Sequence, residues 1–154
     1  MAEKSKIEWT DASWNCTTGC TKVSEGCRNC YAEVMSLRLQ KMGSKRYRNA
    51  FKLTLHEDAL NLPLKWKQPK KIFVDSMSDL FHKDVPDTFI DRVWDTMGKA
   101  NWHIYQILTK RPERMSKYSW SKEKLPNVWL GTSVEDSRVK NRINILQTSN
   151  AKVR

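Results

Sequence analysis

Most of this sequence lacks cysteine, since all four cysteines lie between residues 16 and 30. The chain also lacks any apolar run long enough to cross a bilayer, and its first residues lack the apolar core of a secretion signal. These absences argue against a membrane protein and against a secreted domain held by disulfides, and they predict a location in a reducing cytosol. In that compartment, clustered cysteines more often bind metal or take part in chemistry.

Acidic residues are scarce relative to basic ones: 17 Asp and Glu stand against 28 Lys and Arg, a formal net charge of +11. Such an excess favours polyanions through counterion release, so the composition predicts nucleic acid as a partner, with a solvated basic surface as the alternative. The basic residues cluster in 41–52 and 64–71, where Tyr47, Phe51 and Trp66 are interleaved with them. The sequence contains no Ser-His-Asp order, no P-loop and no HExxH motif, so nothing in it supports a hydrolase.

Strand-like and helix-like patterns alternate along the chain. The predicted strands are 7–9, 71–77, 102–111 and 127–136, and the predicted helices are 31–42, 84–100, 112–120 and 136–149. The helix 84–100 is expected to have Asp84 or Asp87 as its N-cap. The later strands are apolar on both faces, which is typical of a parallel sheet covered by helices. The pattern predicts an α/β fold, a partial (β/α) barrel of about four β/α units, as a single domain over residues 1–154.

The last residues, AKVR, resemble the first residues of another strand. Because a full barrel of eight units needs about 250 residues, we expect this chain to be the amino-terminal half of a longer protein. A half-barrel leaves a sheet edge open, so self-association through that edge is also expected.

Polar residues follow each of the later predicted strands. They form the clusters 75–79, 109–111 and 132–135, and the cysteine loop, residues 16–33, follows the first strand. In parallel α/β folds the carboxyl ends of the strands carry the chemistry, so all four segments should lie on one rim. Lys110 and Arg111 would there meet a carboxylate or phosphate group, or, as the alternative, cap the rim and pair with Glu113 or Asp79.

The spacing of the cysteines allows two kinds of metal site. Cys16, Cys20, Cys27 and Cys30 would supply the two close pairs of a structural zinc site. Alternatively, Cys20, Cys27 and Cys30 would hold an iron–sulfur cluster with one iron open to a small molecule. Gly19 and Gly26 each precede a cysteine and would let the backbone turn sharply.

Long blocks of the chain resemble a known family. The blocks IEWTDASWNCTTGCTKVSEGCRNCYAE, VDSMSDLFHKDVPDTFIDRVW, QILTKRPERM and LPNVWLGTSVED are similar, in this order, to a phage-type family of proteins regarded as radical S-adenosylmethionine-like. The resemblance covers nearly the whole chain and implies a bacterial or phage-infected host cytosol. At position 16 that family more often has proline, which favours Cys20, Cys27 and Cys30 as the metal ligands over a four-cysteine zinc site.

The resemblance implies a role for each matching residue. The three cysteines would hold a [4Fe–4S] cluster, whose reduction by an electron donor cleaves S-adenosyl-L-methionine and starts radical chemistry on an unknown substrate. The residues expected to bind S-adenosylmethionine are Tyr31 at the adenine, Ser76, Ser78 and Asp79 at the methionine amine, and Ser133 and Glu135 at the ribose. Trp9 and Trp14 flank the cysteine loop and would shield the cluster, with stacking on a base as the alternative. The alternative function is a non-catalytic, zinc-stapled nucleic-acid-binding module.

Overall fold

The computed structural model describes Ser5 and residues 7–154, and these contain ten α-helices and β-strands besides short 3₁₀ helices. In chain order they are β1 (Ala12–Trp14), β2 (Thr17–Thr18), α1 (Tyr31–Lys41), β3 (Thr54–Leu55), β4 (Lys71–Val74), α2 (Asp87–Lys99), β5 (Ile104–Thr109), α3 (Pro112–Trp120), β6 (Val128–Thr132) and α4 (Asn141–Gln147). Over the described residues, no helix combines the length and the apolar character needed to span a membrane.

The main sheet has four parallel strands in the order β1-β4-β5-β6. Each of these strands is followed along the chain by a helix, so the predicted α/β fold with about four β/α units is confirmed. Beyond β6, Val153 forms a parallel bridge with Trp129, where the sequence predicts the start of another strand. β2 and β3 form a separate antiparallel pair.

The core lies on one face of this sheet. Alternate strand residues point into it, namely Ala12, Trp14, Ile72, Val74, Tyr105, Ile107, Val128 and Leu130. Against them pack the apolar residues of α2, namely Phe89, Ile90, Val93, Trp94 and Met97, together with Met115 and Tyr118 of α3. The buried residues recur about every two positions in the strands and about every 3.6 positions in the helices, because these are the repeats of side-chain direction in each element. Each fully buried large apolar side chain contributes about 1.5–3 kcal/mol to this packing.

Two local predictions are wrong. The first strand is Ala12–Trp14 and not 7–9, because Asp11 fixes the register by bonding the backbone of Lys71, and residues 7–9 form a turn. The helix predicted to begin at Asp84 or Asp87 through a side-chain cap has Pro86 at its N-cap position instead, with no capping side chain. The Asp87 carboxylate pairs with Arg114 of α3, so it is not available to cap α2.

The opposite face of the sheet has no covering helix in the described residues. Its side chains include Phe73, Gln106, Leu108 and Trp129, whose register places Phe73, Gln106 and Trp129 in one row across three strands. Trp9 lies over part of this face, with its ring 4.8 Å from that of Phe73 between centroids. We call this side of the sheet the open face. The apolar strand residues on one side of the sheet therefore form the core, and those on the other side form the walls of cavities.

Candidate cofactor site

A cavity of about 460 Å³ lies at the carboxyl ends of the four parallel strands. We call it the cysteine cavity. Of the residues expected to hold the iron–sulfur cluster or S-adenosylmethionine, its walls contain all except Glu135, namely Cys20, Cys27, Cys30, Tyr31, Ser76, Ser78, Asp79, Lys110 and Ser133. Trp9, Phe51, Phe73 and Leu108 add apolar surface. The prediction that the cysteine loop and the polar strand ends share one rim therefore agrees with the structure.

The three cavity cysteines are carried by three different parts of the loop. Cys20 follows Gly19, whose backbone N–H donates to Met77 O at 3.1 Å and whose carbonyl accepts from Ser78 Oγ at 2.6 Å. Cys27 ends a 3₁₀ turn, and Cys30 directly precedes α1. The three thiols face one cavity, although no three or more His, Cys, Asp or Glu side chains of residues 5 and 7–154 are grouped so as to hold a single metal ion.

Arg111 connects the cysteine loop to the strand ends. Its Nη1 donates to Asp79 Oδ2 at 2.8 Å and to Cys20 Sγ at 3.4 Å, while Nη2 donates to Thr21 O at 3.0 Å. Asp79 Oδ1 accepts a further hydrogen bond from Thr109 Oγ1 at 2.7 Å. The Asp79 carboxylate is thus satisfied by groups of β5 and its following loop. Arg111 holds Cys20 at the cavity wall.

The environments of the thiols differ. Burial raises the pKa of Cys20, and the nearby Arg111 charge only partly offsets this effect. Burial also acts on Cys27, but hydrogen bonding to the backbone at Val23 and Ser24, with the charge of Lys110, outweighs it and lowers the pKa of that thiol. A lower pKa favours the thiolate, which is the form that binds metal.

Cys16 is separate from the other three cysteines. Its side chain is completely buried in the main core, it does not line the cysteine cavity, and its thiol donates to Asp75 Oδ1 at 3.4 Å. Burial, followed by the proximity of Asp75, raises the pKa of Cys16 well above its usual range. Cys16 therefore acts as a small core residue here, which agrees with the resemblance that sets it apart.

Asp75 directly follows β4 and has an unusual backbone conformation, with φ of 55°. Its buried carboxyl group accepts hydrogen bonds from the backbone N–H of Thr17 at 2.8 Å and from Thr17 Oγ1 at 2.9 Å. These bonds join β4 to the start of the cysteine loop, which explains why a strained residue persists there. Burial raises the pKa of Asp75 to about 7 even though the Thr17 bonds favour its charged form.

This buried carboxyl group should make stability depend on pH. The folded state holds a proton on Asp75 up to about pH 7, whereas the unfolded chain releases it near its ordinary pKa of 3.8. The folded state binds more protons in this window, so its stability falls as pH rises from about 4 to about 7. Relative to Asp75→Asn, we expect the wild type to lose about 2 to 4 kcal/mol across this window, measured by urea denaturation.

The comparison with Asp75→Asn also cancels the opposite contribution of His56. Burial lowers the pKa of His56 to about 4, so that residue adds stability as pH rises through the same window. Equal pH profiles for the wild type and Asp75→Asn would contradict a buried, titrating Asp75.

Glu135 lies behind the cysteine loop instead of lining the cysteine cavity. Its carboxylate accepts from Ser24 Oγ and from the Gly26 N–H at 3.3 Å, and Arg142 Nη1 donates to it at 2.8 Å. A Cβ on Gly26 would lie 2.7 Å from the Glu135 side chain, so this glycine permits the contact. Glu135 thereby holds the loop that carries Cys27 in place. Its predicted binding to the ribose of S-adenosylmethionine stays a prediction.

Two residues that shape the cavity, Asn15 and His82, have partners that the sequence did not predict. Asn15 Oδ1 accepts from Ser76 Oγ at 3.0 Å and from Met77 N at 3.2 Å, which orders the loop after β4. His82, fully buried, bonds Thr21 Oγ1 at 2.8 Å through Nε2. Both contacts join residues about sixty positions apart, so no local pattern signals them. Trp14, predicted to shield a cluster, instead lies in the main core and donates to Ala59 O at 2.8 Å.

The two basic clusters lie at different parts of the fold. Residues 41–52 adjoin the cysteine cavity, where Phe51 O accepts from Cys20 N at 3.2 Å, whereas residues 64–71 lead into the amino end of β4. Tyr47 is buried in a small second core with Ala32 and Met77. The interleaved aromatics of 41–52 therefore serve packing, and Lys45 and Arg48 are left exposed at the surface.

The sheet and its rim define a parallel α/β protein with a three-cysteine cavity at the carboxyl ends of its strands. The chain belongs to the family described as "Protein of unknown function (DUF5131)", whose model matches residues 4–154. No curated protein and no solved structure matches the chain.

Proposed function

We propose that this chain is a radical S-adenosylmethionine-type iron–sulfur protein. Cys20, Cys27 and Cys30 would hold a [4Fe–4S] cluster, and S-adenosyl-L-methionine would bind beside it in the cysteine cavity. The observation that carries the proposal is the convergence of three of the four cysteines on one cavity at the carboxyl ends of parallel strands, while Cys16 is buried elsewhere. A zinc site built from all four would need Cys16 to leave its contact with Asp75.

The residues present fit such a cluster. Each iron of a [4Fe–4S] cube takes one thiolate, so three cysteines bind three irons and leave the fourth open to a small molecule. Ligands for a cube face a common space instead of converging on one point, and the three thiols line a space of about 460 Å³. Trp9, Phe73 and Leu108 bound the same space and would limit the access of water.

When bound and reduced, the cluster would supply the electron that cleaves the sulfonium of S-adenosylmethionine and so begins hydrogen abstraction from a substrate. The chain's own residues bind and orient. Lys110 offers an ammonium group to the carboxylate of the methionine moiety, since Arg111 is already paired with Asp79. Tyr31, whose hydroxyl donates to Ser76 O, offers its ring to the adenine.

Ser76 and Ser78 have a structural part in the same proposal. Their hydroxyl groups donate to Asn15 and to the Gly19 carbonyl, so they shape the floor of the cavity by holding the loop in place. The loop surface at residues 21–23 is exposed, which leaves room for an electron-donor protein to approach the cluster. Ser133, directly after β6, also lines the cavity.

The test is purification without oxygen, followed by a visible spectrum and by measurement of iron, sulfide and zinc. We expect about four irons and a matching amount of sulfide per chain, with a broad visible absorption band. Added S-adenosylmethionine and a chemical reductant should then give 5′-deoxyadenosine and methionine. A colourless protein with one zinc per chain would overturn the proposal and favour the zinc-stapled module.

A further inference from the structure

A second cavity, of about 390 Å³, lies on the open face of the sheet. We call it the open-face cavity. Trp9 and Leu108 line both this cavity and the cysteine cavity, so the two spaces adjoin. The other residues of its wall are Gln106, Ile107, Trp129, Leu130, Gly131, Val153 and Arg154. None of these residues has been given a role in the proposed cofactor site.

Gly131 keeps this cavity open. It lies inside β6, where glycine weakens a strand, and its φ is not in the left-handed region that would require glycine. A Cβ at this position would lie 2.5 Å from Leu108 Cδ2. A glycine inside a strand often marks a close approach of a ligand or another backbone. Here its missing side chain leaves a flat floor beside Trp129.

Gln106 brings an unpaired polar atom to the same wall. Its Oε1 is buried and has no hydrogen-bond partner among the described residues, while its Nε2 makes only a long bond of 3.5 Å to Trp9 O. An unsatisfied buried oxygen is unfavourable and calls for a partner that completes it. Movement of the half-exposed Trp9 would open this amide to the donor group of a ligand.

The charge around the two cavities favours an anion. Asp79 is paired with Arg111, and Asp75 is held by Thr17 with its pKa raised by burial to about 7. Arg154 lines the open-face cavity, and within the described residues its Nε donates to Ser149 O at 3.1 Å while its side chain makes no ion pair. The open-face cavity therefore suits a ligand with an anionic group.

We infer that the open-face cavity binds a nucleotide, with the base between Trp9 and Trp129 and the phosphate toward Arg154. Aromatic faces accept any nucleobase by stacking, and a glutamine amide pairs with the polar edge of a base. One point rests on the proposed function: that this nucleotide is the substrate that the protein places beside the cofactor. The nucleotide is either free or part of a nucleic-acid strand. Binding itself does not depend on the cluster.

Calorimetric titration of the purified protein with AMP, GMP, CMP, UMP and a short single-stranded oligoribonucleotide tests the inference. We expect at least one of these probes to bind, and ribose 5-phosphate to bind more weakly because it has no base. Trp129→Ala should weaken binding about 5-fold to 150-fold, the range expected for one lost stacking contact. Trp120→Ala, which removes an exposed tryptophan of α3 that lines neither cavity, is the matched control and should leave binding unchanged.

A second pair of variants changes the same cavity at other positions, so that the test does not depend on the folding of one variant. Gly131→Val fills the floor and Gln106→Leu removes the amide while keeping a side chain of similar size, and both should weaken binding without changing iron content. Binding of the oligonucleotide alone would identify a nucleic-acid strand as the source of the nucleotide; binding of mononucleotides would identify free nucleotides. Both results support the inference.

Three results would overturn it: no binding of any probe, equal binding of ribose 5-phosphate, or equal effects of Trp129→Ala and Trp120→Ala. A dimer that Gly131→Val dissociates, seen by light scattering, would also overturn it by identifying a second copy as the occupant of the face. Iron and sulfide are measured on the same samples. A wild-type protein that contains iron but binds no nucleotide refutes only this inference, and a wild-type protein without iron refutes only the proposed function.

Discussion

Replacing Cys27 with alanine should remove iron and sulfide from the anaerobically purified protein, whereas Cys16→Ala should leave both in place. Cys27 lines the cysteine cavity with Cys20 and Cys30, and a cube held by three thiolates does not persist when one is removed. Cys16 is buried in the main core and contacts Asp75 instead. The measurement is iron and sulfide per folded chain, together with the visible spectrum.

The Cys16 variant serves as a matched control because it also removes one thiol from the same loop. It will lower stability, since it deletes a buried group and the S–H donor to Asp75, so iron is compared only among folded samples. Equal loss of metal from Cys16→Ala and Cys27→Ala would contradict the three-cysteine site. That result would indicate a four-thiol site in which Cys16 leaves the core.

Gly19→Ala should destabilise the protein far more than Gly43→Ala. Both glycines have positive φ, 81° and 76°, so both variants carry the cost of a left-handed backbone at alanine, about 1–2 kcal/mol. At Gly19 the new Cβ would also lie 2.3 Å from the Lys52 carbonyl oxygen and 2.6 Å from that of Phe51. At Gly43 nothing lies within 4 Å. We expect Gly19→Ala to cost about 3 kcal/mol or more.

Because Gly19 directly precedes Cys20, the backbone shift that relieves this clash also displaces a cavity cysteine. Iron content should therefore fall in Gly19→Ala and stay normal in Gly43→Ala. Urea denaturation gives the difference in the free energy of unfolding, and iron analysis of the folded fraction gives the local effect. Similar stabilities of the two variants would mean that the loop has a different path from the one described.

Periodicity predicted the regular elements because it is a local property of the chain. The buried residues of α2, from Phe89 to Met97, follow the helical spacing, and α3 has the predicted bounds Pro112–Trp120. Where periodicity was weak, prediction failed: β1 is only three residues long and contains no β-branched residue, so 7–9 resembled a strand more closely. Asp11, through its bonds to Lys71, decides that register.

The sequence by itself determined the α/β class, the order of its units and the set of residues on the carboxyl rim, since parallel strands bring their ends together. Only the tertiary structure decided that Cys16 lies in the main core, outside the cysteine cavity, and that Glu135 bonds the loop that carries Cys27. It also decided that one face of the sheet is open beside Trp129. These outcomes depend on contacts between residues far apart in the chain. Burial and hydrogen-bond partners across such distances are set by packing, and no local pattern of residues encodes them.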